Sequence, residues 1–212
     1  MLKVNEIYKS IQGESGFVGY PCTFVRLTGC HLRCVWCDTA YAFYEGREMS
    51  VEKVVEEIKT FGIPLVELTG GEPLLQEDAF ELIRRLLNLN YQVLIETSGA
   101  VSLKNLDTRA VKIMDVKCPG SHMTEHMIWE NFDYLKDRDE VKFVIKDRHD
   151  FDWACDIIQK RELQNKVHLL FSPVFGELEP QRLAEWILGK NIQVRMQLQI
   201  HKYIWNPEMR GV

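Results

Sequence analysis

The sequence predicts an α/β protein built as a partial, open (β/α)6-type barrel with a mostly parallel sheet. Short runs rich in β-branched and aromatic residues alternate with stretches of helical periodicity, the rhythm of βαβ units joined by right-handed crossovers. The strand count falls short of an eight-unit barrel, which leaves about six units. No low-complexity segment, Pro-rich linker or internal repeat interrupts the 212 residues, so 1–212 read as one domain.

The first expected strand is Cys22-Thr23-Phe24-Val25-Arg26-Leu27, which runs through Thr28-Gly29 into a cysteine-bearing loop. Ser50 is placed to cap a helix on which Val51, Val54, Val55 and Ile58 share one face, with Gly62 and Pro64 ending it. Leu65-Val66-Glu67-Leu68 is the second strand, and Ala79, Leu82, Ile83, Leu86 and Leu87 mark the helix after it. Gln92–Glu96 is the third strand. Further strands are expected at Val111–Val116, Val141–Ile145, Val167–Phe171 and Gln193–Ile200, with helices near Phe151–Arg161 and Pro180–Gly189. Such sheets carry their sites in the loops beyond the carboxyl ends of the strands, where the cysteine loop already lies.

Composition narrows the function. Hydrophobic residues make up 46% and charged residues 27% of the chain, enough for one substantial core. With 26 basic and 31 acidic residues the formal charge is -5, which offers no basic field for nucleic acid. No run approaches the roughly 20 apolar residues of a membrane-spanning helix. A small-molecule substrate is therefore expected, with no nucleic-acid or membrane partner. Six cysteines without an N-terminal apolar signal segment read as a reduced, cytoplasmic chain. Of these, Cys22, Cys118 and Cys155 are expected to be buried small hydrophobes.

Cys30, Cys34 and Cys37 stand in C-x3-C-x2-C spacing. Three thiolates this close call for a shared metal. Structural zinc closes its shell with four ligands and ferredoxin clusters take four thiolates, so a triplet leaves one coordination position open. A zinc knuckle drawing on His31 or Asp38 is the alternative, although His31 directly follows Cys30 and adjacent side chains seldom turn to one metal. The second strand ends in Leu68-Thr69-Gly70-Gly71-Glu72-Pro73, where two glycines permit close backbone approach and Pro73 can open a helix. Taken alone, that segment is a tight strand-to-helix turn with an exposed glutamate. Thr97-Ser98, Asp115-Val116-Lys117 and Ser172 with Phe175 occupy the later strand ends.

The cysteine spacing together with Gly70-Gly71-Glu72-Pro73 resembles the radical S-adenosylmethionine (SAM) enzymes and their GGEP motif. The resemblance implies the radical SAM fold, with a 4Fe-4S cluster on Cys30, Cys34 and Cys37 and SAM chelated at the fourth iron. It also implies SAM contacts from Trp36, Cys37, Asp38, Gly71, Glu72, Thr97, Ser98, Asp115, Val116, Lys117, Ser172 and Phe175. His31 and Trp36 are expected to pack in the loop around the cluster.

The N-terminal run Glu6-Ile7-Tyr8-Lys9-Ser10-Ile11-Gln12-Gly13-Glu14-Ser15, continuing through Gly19 to Leu27, narrows this further. With Cys37-Asp38-Thr39 and Leu198-Gln199-Ile200-His201-Lys202-Tyr203 it resembles the 7-carboxy-7-deazaguanine synthase family. That family implies conversion of 6-carboxy-5,6,7,8-tetrahydropterin to 7-carboxy-7-deazaguanine with loss of ammonia, on the way to queuosine. Ile11, Gln12, Gly13 and Glu14 would read the amide and amino edge of the pterin. Arg26 would take its carboxylate as a bidentate partner. Thr69 and His201 would touch the substrate too, and Thr39 would hold Mg2+, a cation that prefers oxygen ligands and keeps several waters. No side chain is nominated as a catalytic acid or base. An external electron donor such as flavodoxin and a homodimer are implied as well.

Some segments lie outside that match. The cluster loop is short from Ala40 to Met49, Gly120-Ser121-His122-Met123 opens a polar insertion with no assigned role, and Ile204–Val212 reads as an extended tail. The helix with Trp153, Ala154, Ile157 and Ile158 is core patterning first and a dimer surface second. Two other classes stay open: a glycyl-radical-enzyme activase acting on a protein, and a non-enzymatic Fe-S electron carrier, which would need a fourth thiolate.

Overall fold

The computed structural model describes residues Met1–Val212. Its first element, β1 (Leu2–Ile11), is absent from the sequence expectation, and a bulge explains why. β1 pairs antiparallel with β2 (Pro21–Leu27), but the register slips between Val4, opposite Leu27, and Glu6, opposite Arg26. A one-residue slip moves every later side chain to the other face, so the alternation begun by Leu2 and Val4 breaks off. The same slip brings Glu6 and Tyr8 onto the face of Arg26 and Phe24.

β3 (Arg47–Met49) pairs antiparallel with β1 on its other side. From β2 onward every pairing is parallel, through β4 (Leu65–Gly70), β5 (Gln92–Thr97), β6 (Val111–Val116), β7 (Glu140–Ile145), β8 (His168–Pro173) and β9 (Arg195–Met196). The nine strands lie in the order β3-β1-β2-β4-β5-β6-β7-β8-β9, whose two ends do not pair. The sheet is thus open and mostly parallel, as the sequence predicts.

Four helices make the crossovers. α1 (Val51–Phe61) starts at Ser50, whose side chain accepts from Lys53 N, and ends at Gly62 in the left-handed region with φ 65°. α2 is Glu77–Asn88. α3 (Arg148–Lys160) starts before the expected Phe151 because Asp147 caps it through Asp150 N. α4 is Pro180–Lys190, with Pro180 in its first turn. No α-helix follows β5 or β6. The insertion after β6 is instead a chain of 3-10 turns at Pro119–Ser121, Thr124–His126 and Trp129–Tyr134.

The expected strand Gln193–Ile200 shrinks to β9. Gln197 N still donates to Phe171 O of β8 at 2.9 Å, but beyond it the chain leaves the sheet: the Gln197 and Gln199 amides donate to Glu14, and Ile200 N donates to Gly13 O at 3.0 Å. One helical turn, α5 (His201–Ile204), follows.

One cluster of 38 buried residues joins the helices to the sheet: Ile58, Leu82 and Leu86 meet Val25, Val66, Leu68, Val93 and Ile95. Each such fully buried side chain stabilises the fold by about 1.5–3 kcal/mol relative to exposure. Ala154 and Ile158 of α3 are buried in it, and Trp153 and Ile157 pack against it, so that helix is core. Cys22, Cys118 and Cys155 are buried free thiols. The opposite, inner face of the sheet has a small apolar floor of Cys22, Phe24, Leu65, Leu94, Val111 and Ile113. Nearer the strand ends that face turns polar. No helix is long and apolar enough to cross a membrane.

Candidate active site

The carboxyl ends of β2 and β4 bring the two sequence motifs into contact. Gly71 N donates to Leu27 O at 3.4 Å and Glu72 N to Gly29 O at 2.8 Å. Only glycine fits the approach. A Cβ on Gly70 would stand 2.2 Å from Leu27 O, and one on Gly71 would stand 2.4 Å from Gly29 O and 2.5 Å from Cys30 Cβ. Glu72, far from exposed, is fully buried. Its carboxylate accepts from Leu74 N (3.1 Å), Thr97 Oγ1 (3.0 Å), Ser98 N (2.7 Å) and Ser98 Oγ (2.6 Å). Glu72, Thr97 and Ser98 therefore knot the ends of β4 and β5 together beneath the cysteine loop.

That loop is backed by the turns after β6. Val35 N donates to Ser121 O at 3.4 Å and Arg33 N to Met123 Sδ at 3.2 Å, which gives the Gly120–Met123 segment a role as its rear wall. Cys30, Cys34 and Cys37 are half-buried free thiols, and burial pushes each above the usual thiol range. Leu32 N donates to Cys30 Sγ at 3.4 Å. The three sulfurs do not all lie within 4.8 Å of one another, whereas Zn–S bonds of about 2.3 Å in a tetrahedron need sulfurs about 3.8 Å apart. Both candidate fourth ligands have other partners: His31 lies edge-to-face with the ring of His126, and Asp38 is bound by Lys202 Nζ at 2.7 Å. A set of three soft, spread donors with no fourth fits an open cluster corner.

The remaining SAM-side residues line the rim. Asp115 Oδ2 accepts from Lys117 Nζ at 2.9 Å, and its Oδ1 is buried without a partner, an acceptor ready for a ligand donor. The Val116 side chain belongs to the core, so only its backbone can face the rim. Ser172 Oγ donates to Gln197 O at 3.3 Å. Phe175 is exposed, edge-on to Tyr203, with Lys202 Nζ 5.0 Å from its centroid. These two rings, Pro173, Leu178 and Leu198 line a cavity of about 240 Å³. Trp36 stands beneath Lys146 Nζ at 6.0 Å.

Toward the N-terminal loop, Gln12 is buried and doubly held. Its Nε2 donates to Glu67 Oε2 at 2.5 Å, and its Oε1 accepts from Glu14 N at 2.5 Å. Burial, with the nearby Glu96 charge, raises the Glu67 carboxyl to about 8. Glu14 accepts from Lys142 Nζ (2.9 Å) and Gln199 Nε2 (2.9 Å). Glu96 accepts from Lys142 Nζ (2.5 Å) and Thr69 Oγ1 (2.9 Å). Arg26 is engaged by Glu6 at 2.8 Å and Tyr8 at 3.0 Å, and Tyr41 also donates to Glu6 at 3.0 Å. Thr39 Oγ1 donates to Asp38 Oδ1 at 2.8 Å. Ile11 closes β1 opposite Pro21, and His201 packs on Gly13.

Glu6, Tyr8, Glu67, Glu96 and Lys142 belong to this constellation, yet none was singled out from sequence as a site residue. A signal was present. Parallel strands covered on both faces read as continuous apolar runs, and Glu67, Glu96 and Lys142 interrupt three of them on the same, inner face.

The fold and the site define a radical SAM enzyme, and the Radical SAM superfamily matches residues 24–162. The 7-carboxy-7-deazaguanine synthase of Koribacter versatilis is 46% identical, covering 100% of both chains, and that of Chlorobaculum tepidum is 45% identical over 100% of this chain and 97% of the relative. The chain belongs to the 7-carboxy-7-deazaguanine synthase family. Its fold is shared with the crystal structure of QueE from Escherichia coli, at a TM-score of 0.76 and 21% identity over 93% of each chain.

Proposed function

We propose that this chain contracts the ring of 6-carboxy-5,6,7,8-tetrahydropterin to 7-carboxy-7-deazaguanine with release of ammonia, reading the substrate on its polar inner face. The observation that carries this is the polar network of the inner face, where Gln12 holds Glu67 and Glu14, Lys142 joins Glu14 to Glu96, and Thr69, opposite Arg26 in the register of β2 and β4, donates to Glu96. When bound, a 4Fe-4S cluster on Cys30, Cys34 and Cys37, together with SAM, supplies a 5'-deoxyadenosyl radical for hydrogen removal. The buried free acceptor of Asp115 suits a SAM donor group, and the slot beside Phe175 and Tyr203 suits a flat purine.

Gln12 is fixed rather than free, so it sets the position of the Glu14 backbone and leaves carboxylate oxygens to accept from the pterin's N–H edge. Arg26 keeps a guanidinium N–H for the substrate carboxylate while Glu6 and Tyr8 hold its plane. Thr39 and the adjacent Asp38 offer the hard oxygens that Mg2+ prefers, and the substrate carboxylate would complete that set. Burial lowers the His201 pKa, which leaves a neutral imidazole at the mouth.

The cluster loop opens on exposed His31, Arg33 and Val35, a surface for a protein electron donor such as flavodoxin. A homodimer and a cytoplasmic setting complete the reading. The test is anaerobic reconstitution followed by incubation with SAM, dithionite, Mg2+ and the carboxytetrahydropterin. Deazaguanine product and ammonia are expected. Deoxyadenosine without that product would discard the substrate, and intact SAM would discard the chemistry.

A further inference from the structure

Lys142 is a charged residue in the middle of a buried strand, with a side chain only 5% exposed. It lies behind three carboxylates that are more open than itself: Glu14 at 18%, Glu96 at 30% and Asp115 at 12%. Its ammonium touches the first two at 2.9 and 2.5 Å and stands 3.9 Å from the third. An ammonium sealed behind acceptors is placed to orient them rather than to meet a substrate itself.

We propose that Lys142 is the positioning residue of the substrate face, the one cation that keeps Glu14 and Glu96 as fixed acceptors for the amide and amino N–H groups of a pterin-like ring. This rests on the substrate reading above and deepens it. Each carboxylate oxygen can accept about two hydrogen bonds. Lys142, Gln197 and Gln199 leave Glu14 one such place, and Lys142 and Thr69 leave Glu96 two. Remove the cation and these carboxylates repel one another, so one takes a proton and turns from acceptor to donor toward the N–H groups it should receive.

The charged groups around Lys142 come from every neighbouring element: Glu14 from the N-terminal loop, Glu67 from β4, Glu96 from β5, Asp115 from β6 with Lys117 beyond it, and Glu140 on β7 itself. Arg26 and His201 act on Glu96 and Glu14 from the sides. None but Lys142 donates to both Glu14 and Glu96. Neither Lys117, bonded to Asp115, nor Arg26, bonded to Glu6, can replace it without leaving its own partner.

The test compares wild type, Lys142→Met and Lys142→Arg by steady-state kinetics on the carboxytetrahydropterin between pH 6.5 and 9, with SAM saturating and cluster content checked by iron and visible absorbance. The expected result for Lys142→Met is a KM raised about 10- to 100-fold, the worth of one or more hydrogen bonds to a charged group. That defect should shrink as pH rises and the carboxylates ionise again, with kcat changed far less. Lys142→Arg should restore the wild-type profile. An unchanged KM, or a rise equal at every pH and untouched by arginine, overturns the proposal. Should Lys142→Met not load its cluster, the double variant with Glu96→Gln decides: recovered loading with KM still raised supports it, and no recovery overturns it. A wild-type chain that makes no deazaguanine fails the substrate reading first, and the proposal falls with it.

Discussion

His201 stands in the space that a side chain at Gly13 would occupy: a Cβ there would lie 2.2 Å from its Nδ1. The N-terminal loop and the terminal turn α5 are thereby locked at one point, and Ile200 N on Gly13 O repeats the lock in the backbone. Gly13→Ala should push α5 outward and loosen the mouth of the site. We expect a KM for the pterin raised about tenfold with unchanged iron content, since overpacking a tight contact costs about 1–3 kcal/mol. Kinetics that match wild type would show that the turn does not shape the pocket.

Gly71 serves the other end of the site. A methyl group there meets Gly29 O and Cys30 Cβ, backbone and Cβ atoms that cannot swing away. Gly71→Ala should therefore displace the cysteine loop and cut iron loading after reconstitution by more than half. Gly62→Ala is the control, because nothing lies within 4 Å of that Cβ and only the left-handed φ of 65° costs it stability, about 1 kcal/mol. Equal iron content in both variants would refute the close packing of the two motifs as the reason for their glycines.

Glu67 ties stability to pH. Burial lifts its carboxyl to about 8 in the folded chain, against an ordinary value of 4.5. A raised folded pKa gives a contribution present in full below about 4.5 and lost as pH climbs through 8, at a slope of up to about 1.4 kcal/mol per pH unit. Glu67→Gln keeps an acceptor for Gln12 and removes the titration. The variant should gain on wild type in urea midpoint from pH 5 to 8, and the gap should stay level above that. A constant gap across the range would mean that Glu67 is ionised throughout.

The cysteine loop, the GGEP turn and most parallel strands were legible in the sequence because each is set by local chemistry: thiol spacing, glycine pairs and β-branched runs. β1 was not, because the bulge before Glu6 hides its alternation in a register that only β2 defines. The strand expected through Ile200 stops at Met196 for the converse reason, since Gln197 and Gln199 answer to Glu14, more than 180 residues away in the chain. Glu72 illustrates the limit well. Its position was readable, but its burial depends on Thr97 and Ser98 at the end of a different strand.

Lys112 and Asp139 form a second buried ion pair, away from the chemistry, with Nζ 2.8 Å from Oδ2 and side chains 2% and 0% exposed. Asp139 also accepts from Lys112 N at 2.9 Å and Lys136 N at 2.8 Å, so it fastens the start of β6 to the turn before β7. Removing one partner of a buried pair costs about 3–5 kcal/mol, mainly because the other charge is left without compensation. The two partners should nevertheless differ. Lys112→Met leaves Asp139 with two backbone donors, whereas Asp139→Ala strands both an ammonium and two N–H groups. We therefore expect Asp139→Ala to lower the unfolding midpoint by clearly more than Lys112→Met, with the kinetic constants of whatever folds unchanged. The reverse order would assign the fastening to the lysine stem packed in the core rather than to the carboxylate.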